Sequence, residues 1–231
     1  HPDTLTSVAN LASTYRNQGR WKEAEELEVR VIETRKRVLS EEHPDTLTSV
    51  ANLASTYRNQ GRWKEAEELE VRVIETRKRV LGEEHPNTLA SVANLASTYR
   101  NQGRWKEAEE LEVRVMETRK RVLGEEHPNT LTSIANLAST YRNQGRLEEA
   151  ESMRRQTLAT REKVLGLEHP DTLLSVYNLA HILASRHRYD ESNALYIRAC
   201  ARFNATLGKD HPDTRACHKD YLQMLSDREE N

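Results

Sequence analysis

The chain has 231 residues, a formal net charge of −2, 36% hydrophobic and 31% charged side chains, and a mean hydropathy of −0.86. So polar a chain lacks the apolar mass that a single compact globule of this length needs, and suits a thin array whose elements each keep a solvated face. Near-neutral charge gives no field for a phosphate backbone, which argues against nucleic acid as a partner, and no apolar run approaches the ~18 residues of a membrane span.

The segment HPDTLTSVANLASTYRNQGRWKEAEELEVRVIETRKRVL fills positions 1–39 and starts again at position 43. His-Pro recurs at His1, His43, His85, His127, His169 and His211, a period of 42 residues. The chain divides accordingly into repeats 1–42, 43–84, 85–126, 127–168 and 169–210, with a final half repeat at 211–231, read together as one array. A period of this length marks stacked supersecondary units.

Within each repeat the pattern predicts two helices. In the first, Leu5, Val8, Leu11, Ala12 and Tyr15 recur at helical spacing as one apolar stripe. Asp3 or Thr4 offers an N-cap oxygen, and Asn87 and Asn129 keep that chemistry in later copies. NQGR at 17–20 breaks the helix, with Gly19 suited to a left-handed position. The second helix is expected from Trp21 to Leu39, with Trp21, Ala24, Leu27, Val31 and Val38 on its buried side. Its first half is rich in Glu and its end carries Arg35, Lys36 and Arg37, which suits the helix macrodipole. Gly82, Gly124, Gly166 and Gly208 end the later copies, and His-Pro imposes an extended step. Neither helix can bury its stripe alone, so the fold class is all-α, an α-solenoid of helix-turn-helix repeats.

Repeats one and two differ only at Ser40 and Gly82. Repeat five keeps mainly the skeleton. In the half repeat Arg215 replaces the Leu5 equivalent and His218 the Val8 equivalent, which predicts a solvated capping helix that packs back through Tyr221, Leu222 and Leu225. At the other end, His1 falls on a repeat boundary and the first helix is as apolar as interior copies. Residue 1 is therefore expected to be an excision point in a longer array, with end-to-end self-association through the uncapped first helix.

Chemistry-bearing motifs are few. Successive histidines at equivalent positions would be ~8–10 Å apart, the spacing of packed helices, too far to share one metal at ~2.0–2.1 Å. They are expected in loops, bonded to backbone or packed on the following proline. No phosphate-binding loop, nucleophile elbow or H-E-x-x-H motif occurs. The glutamates read as exposed helix faces paired with arginine, and Trp21, Trp63 and Trp105 as packing residues. Cys200 and Cys217 read as separate small packing residues of a reducing compartment. These signs predict a soluble cytoplasmic protein without catalysis, cofactor or metal.

The stretch LASTYRNQGRWKEAEEL is similar to the tetratricopeptide repeat: a small residue after Leu, Tyr three further on, Gly at the turn, an aromatic after it, then Ala. The HP[DN]T opening and RKRVLGEE tail resemble the long repeats of kinesin light chains. The near-identical copies resemble the arrays of fungal STAND-type NTPases, the NB-ARC or NACHT proteins. Glu28 departs from the family pattern by standing where an aromatic is usual; repeat five restores the aromatic with Tyr196.

The resemblance implies a right-handed superhelix whose concave face, formed by first helices, binds an extended peptide or protein. The matching positions include Asn10, Asn52, Asn94, Asn136 and Asn178, amides able to donate and accept. They also include Arg16, Arg58, Arg100 and Arg142, whose forks suit acidic side chains. Tyr177 and His181 change the lining in repeat five. The lysines of chaperone-type carboxylate clamps are replaced by Thr6 and Ala9. The same residues also fit a structural use, with the amides bonded between helices and the arginines solvated. The implied role is the partner-sensing array of a STAND-type receptor; the alternatives are a kinesin-light-chain-like cargo adaptor and a module that stacks end to end.

Overall fold

The computed structural model describes residues 2–230 and holds, among them, eleven helices and no strand. They are α1 Pro2–Asn17, α2 Trp21–Leu39, α3 Pro44–Asn59, α4 Trp63–Leu81, α5 Pro86–Asn101 and α6 Trp105–Leu123. The chain continues with α7 Pro128–Asn143, α8 Leu147–Leu165, α9 Pro170–Ser185, α10 Tyr189–Leu207 and α11 Pro212–Glu230. Helix pairs joined by short turns form a repeat array of helix-turn-helix units. Two compact units, 1–115 and 116–231, divide within α6. In the first, α2 packs between α1 and α3, and α4 between α3 and α5; in the second, α8 packs on α7 and α9, and α10 on α9 and α11. No helix among the described residues is long and apolar enough to cross a membrane.

Helix starts depart from the expected Asp/Thr cap. Proline occupies the first turn, and the histidine before it is the N-cap, extended at φ −61° and ψ 137° in His43. The Nδ1 of His43 accepts a hydrogen bond from the Asp45 backbone N–H at 3.2 Å. His85, His127 and His169 accept from Asn87, Asn129 and Asp171 in the same way, each at 3.1 Å. The cause is local: proline forces the preceding residue out of the helical region, and that extended state is the N-cap conformation. The repeat boundary expected at His1 lies outside the described residues.

Glycine matters most where α4 ends. Gly82 has φ 95° and ψ 162°, a region essentially closed to residues with a Cβ. Repeat one places Ser40 in the same conformation, φ 101° and ψ 165°. Ser40→Gly is expected to stabilise the first unit by about 1–3 kcal/mol, read as a higher denaturation midpoint with unchanged cooperativity. An unmoved midpoint would mean that the serine backbone carries no strain.

The second helices bury part of the expected stripe, Ala24 and Val31, but not its ends. Ala24, Glu28, Val31, Ile32 and Arg35 are buried in α2, whereas Trp21 is 39% and Val38 63% exposed. The buried stripe therefore tilts to include two charged residues, Glu28 and Arg35, seven positions apart. In the second unit the apolar core gathers Leu173, Val176, Leu183, Tyr196, Phe203 and Met224.

Helix α11 closes the second unit. Arg215 and His218 are exposed, while Thr214, Cys217 and Met224 are buried, with Tyr221 and Leu225 packed against the core. Leu222, expected to pack, is 65% exposed. The cysteines are not separate: Cys200 and Cys217 form a disulfide with Cα atoms 5.8 Å apart. Position 200 on α10 and position 217 on α11 both face the same helix–helix seam, which brings the two sulfurs together.

Candidate functional site

The candidate binding residues lie on the first helix of each repeat. In the first unit Asn10 is exposed and Asn52 and Asn94 are half-buried. In the second, Asn178 donates its Nδ2 to the Leu174 carbonyl at 2.8 Å, and Asn136 is half-buried.

Three of the four arginines are built into joints. Arg16 Nη1 lies 3.3 Å from Glu28 Oε1 and donates to the Asn52 carbonyl of the next repeat at 3.2 Å. The other oxygen of Glu28 accepts from Thr56 Oγ1 at 2.7 Å. One repeat on, Arg58 is 3.4 Å from Glu70 and donates to the Asn94 carbonyl at 3.1 Å, while Thr98 donates to Glu70 at 2.7 Å. Arg100 and Glu112 are 3.1 Å apart. Glu28, Glu70 and Glu112 are only 2–3% exposed, so these carboxylates are not the solvated helix faces that the sequence suggested. Burial pushes Glu28 up and raises Glu70 to about 7, the lowering by Thr98 and Arg58 being too small to offset it. Burial likewise lowers Arg58 despite Glu70.

Arg142 is placed differently. Repeat four has Arg154 where the other copies have Glu28, Glu70 and Glu112, and repeat five has Ile182 where they have Thr56 and Thr98. Acceptor and donor of the joint have gone together, and Arg154 instead donates to Ser139 Oγ at 2.6 Å. Arg142 comes within electrostatic range of α9, where burial and then its charge lower His181. Tyr177 lies close by, its phenol donating to Asp220 at 2.6 Å and held up by burial and that carboxylate. The structure thus brings Arg142, Tyr177 and His181 of the candidate set into one neighbourhood of the second unit.

A second joint was not anticipated. Arg35, 8% exposed, donates from Nη1 to Ser49 Oγ at 2.7 Å and to the Asp45 carbonyl at 3.0 Å. Arg77 repeats this with Ser91 at 2.7 Å and Asn87 O at 3.1 Å, and adds Thr48 at 3.0 Å through Nη2. In the second unit Arg119 bonds Ser133 at 2.9 Å and Arg161 bonds Ser175 at 2.8 Å. At the last junction Phe203 stands in place of the arginine and Cys217 in place of the serine, so the disulfide to Cys200 takes over the seam. The signal lay in the spacing: Glu28 and Arg35 share a stripe with Ala24 and Val31, which are apolar and buried.

At the turns, Arg62 stacks over Tyr57 at 3.9 Å and bonds Glu25 of the preceding repeat at 2.9 Å; Arg104 does the same with Tyr99 at 3.9 Å and Glu67 at 2.8 Å.

Comparison with known proteins matches this architecture. Models described as tetratricopeptide repeat match residues 88–163 and 133–191, and residues 4–45, 46–87 and 172–213. No curated protein sequence matches at a significant level. A crystal structure of the nearly identical TPR-like repeats of a candidate kinesin light chain from Podosopora anserina is 34% identical, with a TM-score of 0.70, covering 89% of this chain and 98% of that one. BtubC (BKLC) from P. vanneervenii has the same fold at 23% identity and a TM-score of 0.69, covering 89% and 81%. A Rap protein crystallised with Competence and Sporulation Factor shares the fold at 14% identity and a TM-score of 0.72, covering 96% and 66%. With joints recurring at the repeat period and family models matching from residue 4 to residue 213, the chain belongs to the tetratricopeptide repeat family.

Proposed function

We propose that this chain is a non-catalytic scaffold whose first helices bind a protein or extended peptide, and that Arg142 is an anchoring charge within the second unit. The observation that carries this reading is the exchange of the joint glutamate for Arg154, which leaves Arg142 without the carboxylate that Arg16, Arg58 and Arg100 each hold. A guanidinium beside Tyr177 and His181 is suited to an acidic side chain of a partner. The amides of Asn10, Asn52 and Asn94 make no hydrogen bond among the described residues and supply backbone-type recognition along the first unit. Resemblance to kinesin-light-chain-type repeats at 34% identity, and a fold shared with a Rap protein crystallised with Competence and Sporulation Factor, support a partner-binding role. The STAND-type receptor context rests on the near identity of repeats one to three alone.

A set of fluorescent peptides carrying two or three acidic residues tests the mechanism. Arg142→Ala is expected to weaken capture about tenfold, the loss of one charge-assisted contact, with helicity unchanged. Arg16→Ala is expected to change capture little and to lower stability instead, because its charge is spent on Glu28. Equal capture by wild type and Arg142→Ala would overturn the anchoring role.

A further inference from the structure

First helices inside a unit lie between two second helices, α3 between α2 and α4 and α9 between α8 and α10. The ends of the array show which residues meet which neighbour. In α1, which packs on α2 and has no second helix before it among the described residues, Thr4, Ser7 and Thr14 are exposed while Ala12 is fully buried. In α11, which packs on α10, the equivalents of Thr4, Ser7 and Thr14 are Thr214, Cys217 and Met224, and all three are buried. The other side of α11, where the repeat's own second helix packs in the earlier copies, is open.

That open side is neither a core face nor a plain polar cap. Leu222 stands at the position of Ala12, Ala54, Ala96, Ala138 and Ala180, each 0% exposed, yet is itself the most exposed large apolar side chain among the described residues. A solvated cap gains nothing from enlarging that alanine to an exposed leucine. Around Leu222 opens a cleft of about 600 Å³, lined by Lys209, Arg215, His218 and Lys219 and by no aspartate or glutamate. The position of the buried Leu47, Leu89, Leu131 and Leu173 is Arg215 here, and the alanine position of the first four copies is Lys219. Glu41, Glu83 and Glu125 have become Lys209. None of the four basic side chains in the cleft holds a hydrogen bond or ion pair among the described residues.

We infer that this face of α11 docks an acidic amphipathic helix of a partner protein, seated where a second helix packs in the other copies. Continuity with the hairpin interface fixes the shape, because Arg215, His218 and Leu222 occupy the stripe that takes a helix in α1, α3 and α9. Leu222 is the apolar centre, the stems of Arg215 and Lys219 extend it, and their charged ends select carboxylates. A second copy of this chain fits less well: its uncovered α1 is itself a first helix, and Thr4, Ser7 and Thr14 bring no carboxylate to set against the cationic rim. The inference does not depend on Arg142.

The test uses the full chain and a fluorescent peptide that keeps the 19-residue length and apolar spacing of α2, with glutamate and glutamine elsewhere. Its controls are the same peptide with lysine for glutamate, and polyglutamate of equal length. The acidic helix is expected to bind saturably, to shift amide resonances of α11, and to lose affinity as salt rises. Leu222→Asp, and separately Arg215→Glu with Lys219→Glu, are each expected to weaken it at least about tenfold. All three positions are exposed, so the melting curve should not move. Arg142→Ala is expected to leave this binding unchanged, which separates it from capture of acidic peptides through Arg142. Equal binding of the lysine peptide, or undiminished binding by the variants, would overturn the inference. So would equal binding of polyglutamate, which would mark a general polyanion site. Dimerisation of the chain that Leu222→Asp abolishes would place a second copy on the face and overturn the partner helix as well.

Discussion

Replacing Arg77 by alanine is expected to destabilise the first unit by about 3 kcal/mol, the scale of lost charge-assisted hydrogen bonds plus a cavity. The side chain is 6% exposed and spends its fork on Ser91 Oγ, Asn87 O and Thr48 Oγ1. Alanine would strip donors from oxygens on two neighbouring repeats and leave the volume of a long side chain empty. Lysine restores charge and length but not the fork, so Arg77→Lys should recover no more than about half of the loss. Burial lowers Arg77, so part of what its bonds contribute is offset by desolvation. The last junction shows the alternative, with Phe203 and Cys217 filling the seam without a charge. Arg77→Phe combined with Ser91→Ala should therefore be less damaging than the two changes summed. Hydrogen exchange in α4 and α5 is the suitable readout, because a repeat array opens locally. A cost below about 1 kcal/mol for Arg77→Ala would show that desolvation cancels the joint.

The stability of the first unit should fall as pH rises from 5.5 to 8, and Glu70 should be the main reason. Its carboxyl is raised from 4.5 to about 7 in the folded chain, so the native state holds the proton more tightly than the unfolded one. The stabilisation is fully present below 4.5 and is lost as pH rises through about 7. The full span amounts to about 3 kcal/mol. Glu28 is raised for the same reason, burial, and adds in the same direction. Glu25 and Glu67 are lowered by their glutamine and arginine partners, so they act oppositely and weaken the unit at more acidic pH. An optimum near the lower end of the window follows. Glu70→Gln cannot ionise; it keeps an oxygen for Arg58 and turns its amide N–H toward the Thr98 hydroxyl, which can accept while donating to the Asn94 carbonyl. It should stabilise by about 1–2 kcal/mol at pH 8 and do nothing at pH 5.5, half or more of the carboxylate's desolvation being removed. A gap between variant and wild type that does not vary with pH would show Glu70 ionised throughout, with Arg58 winning over burial.

Helix positions were legible because every boundary is written in local chemistry. The second helix was expected at Trp21–Leu39 and is found there, since glycine, proline and a β-extended histidine act on the backbone within a residue or two. The repeat class was legible for the same reason: a 42-residue phrase that ends its helices at the same residues must stack copies of one hairpin. The helix cap was misread because two candidate oxygens followed the proline, while the proline's own steric demand moved the cap to the histidine before it. Charge burial was not legible. Whether Glu28 meets water or Thr56, and Arg35 water or Ser49, depends on where residues 28 and 14 positions further along arrive, which packing decides. The disulfide likewise required α10 and α11 to meet. The binding set was visible only as a repeating list of polar residues. Tertiary packing separated the arginines held in joints from Arg142, because a charge within ~4 Å of a buried partner is spent on the fold and Arg154 takes the place of that partner in repeat four.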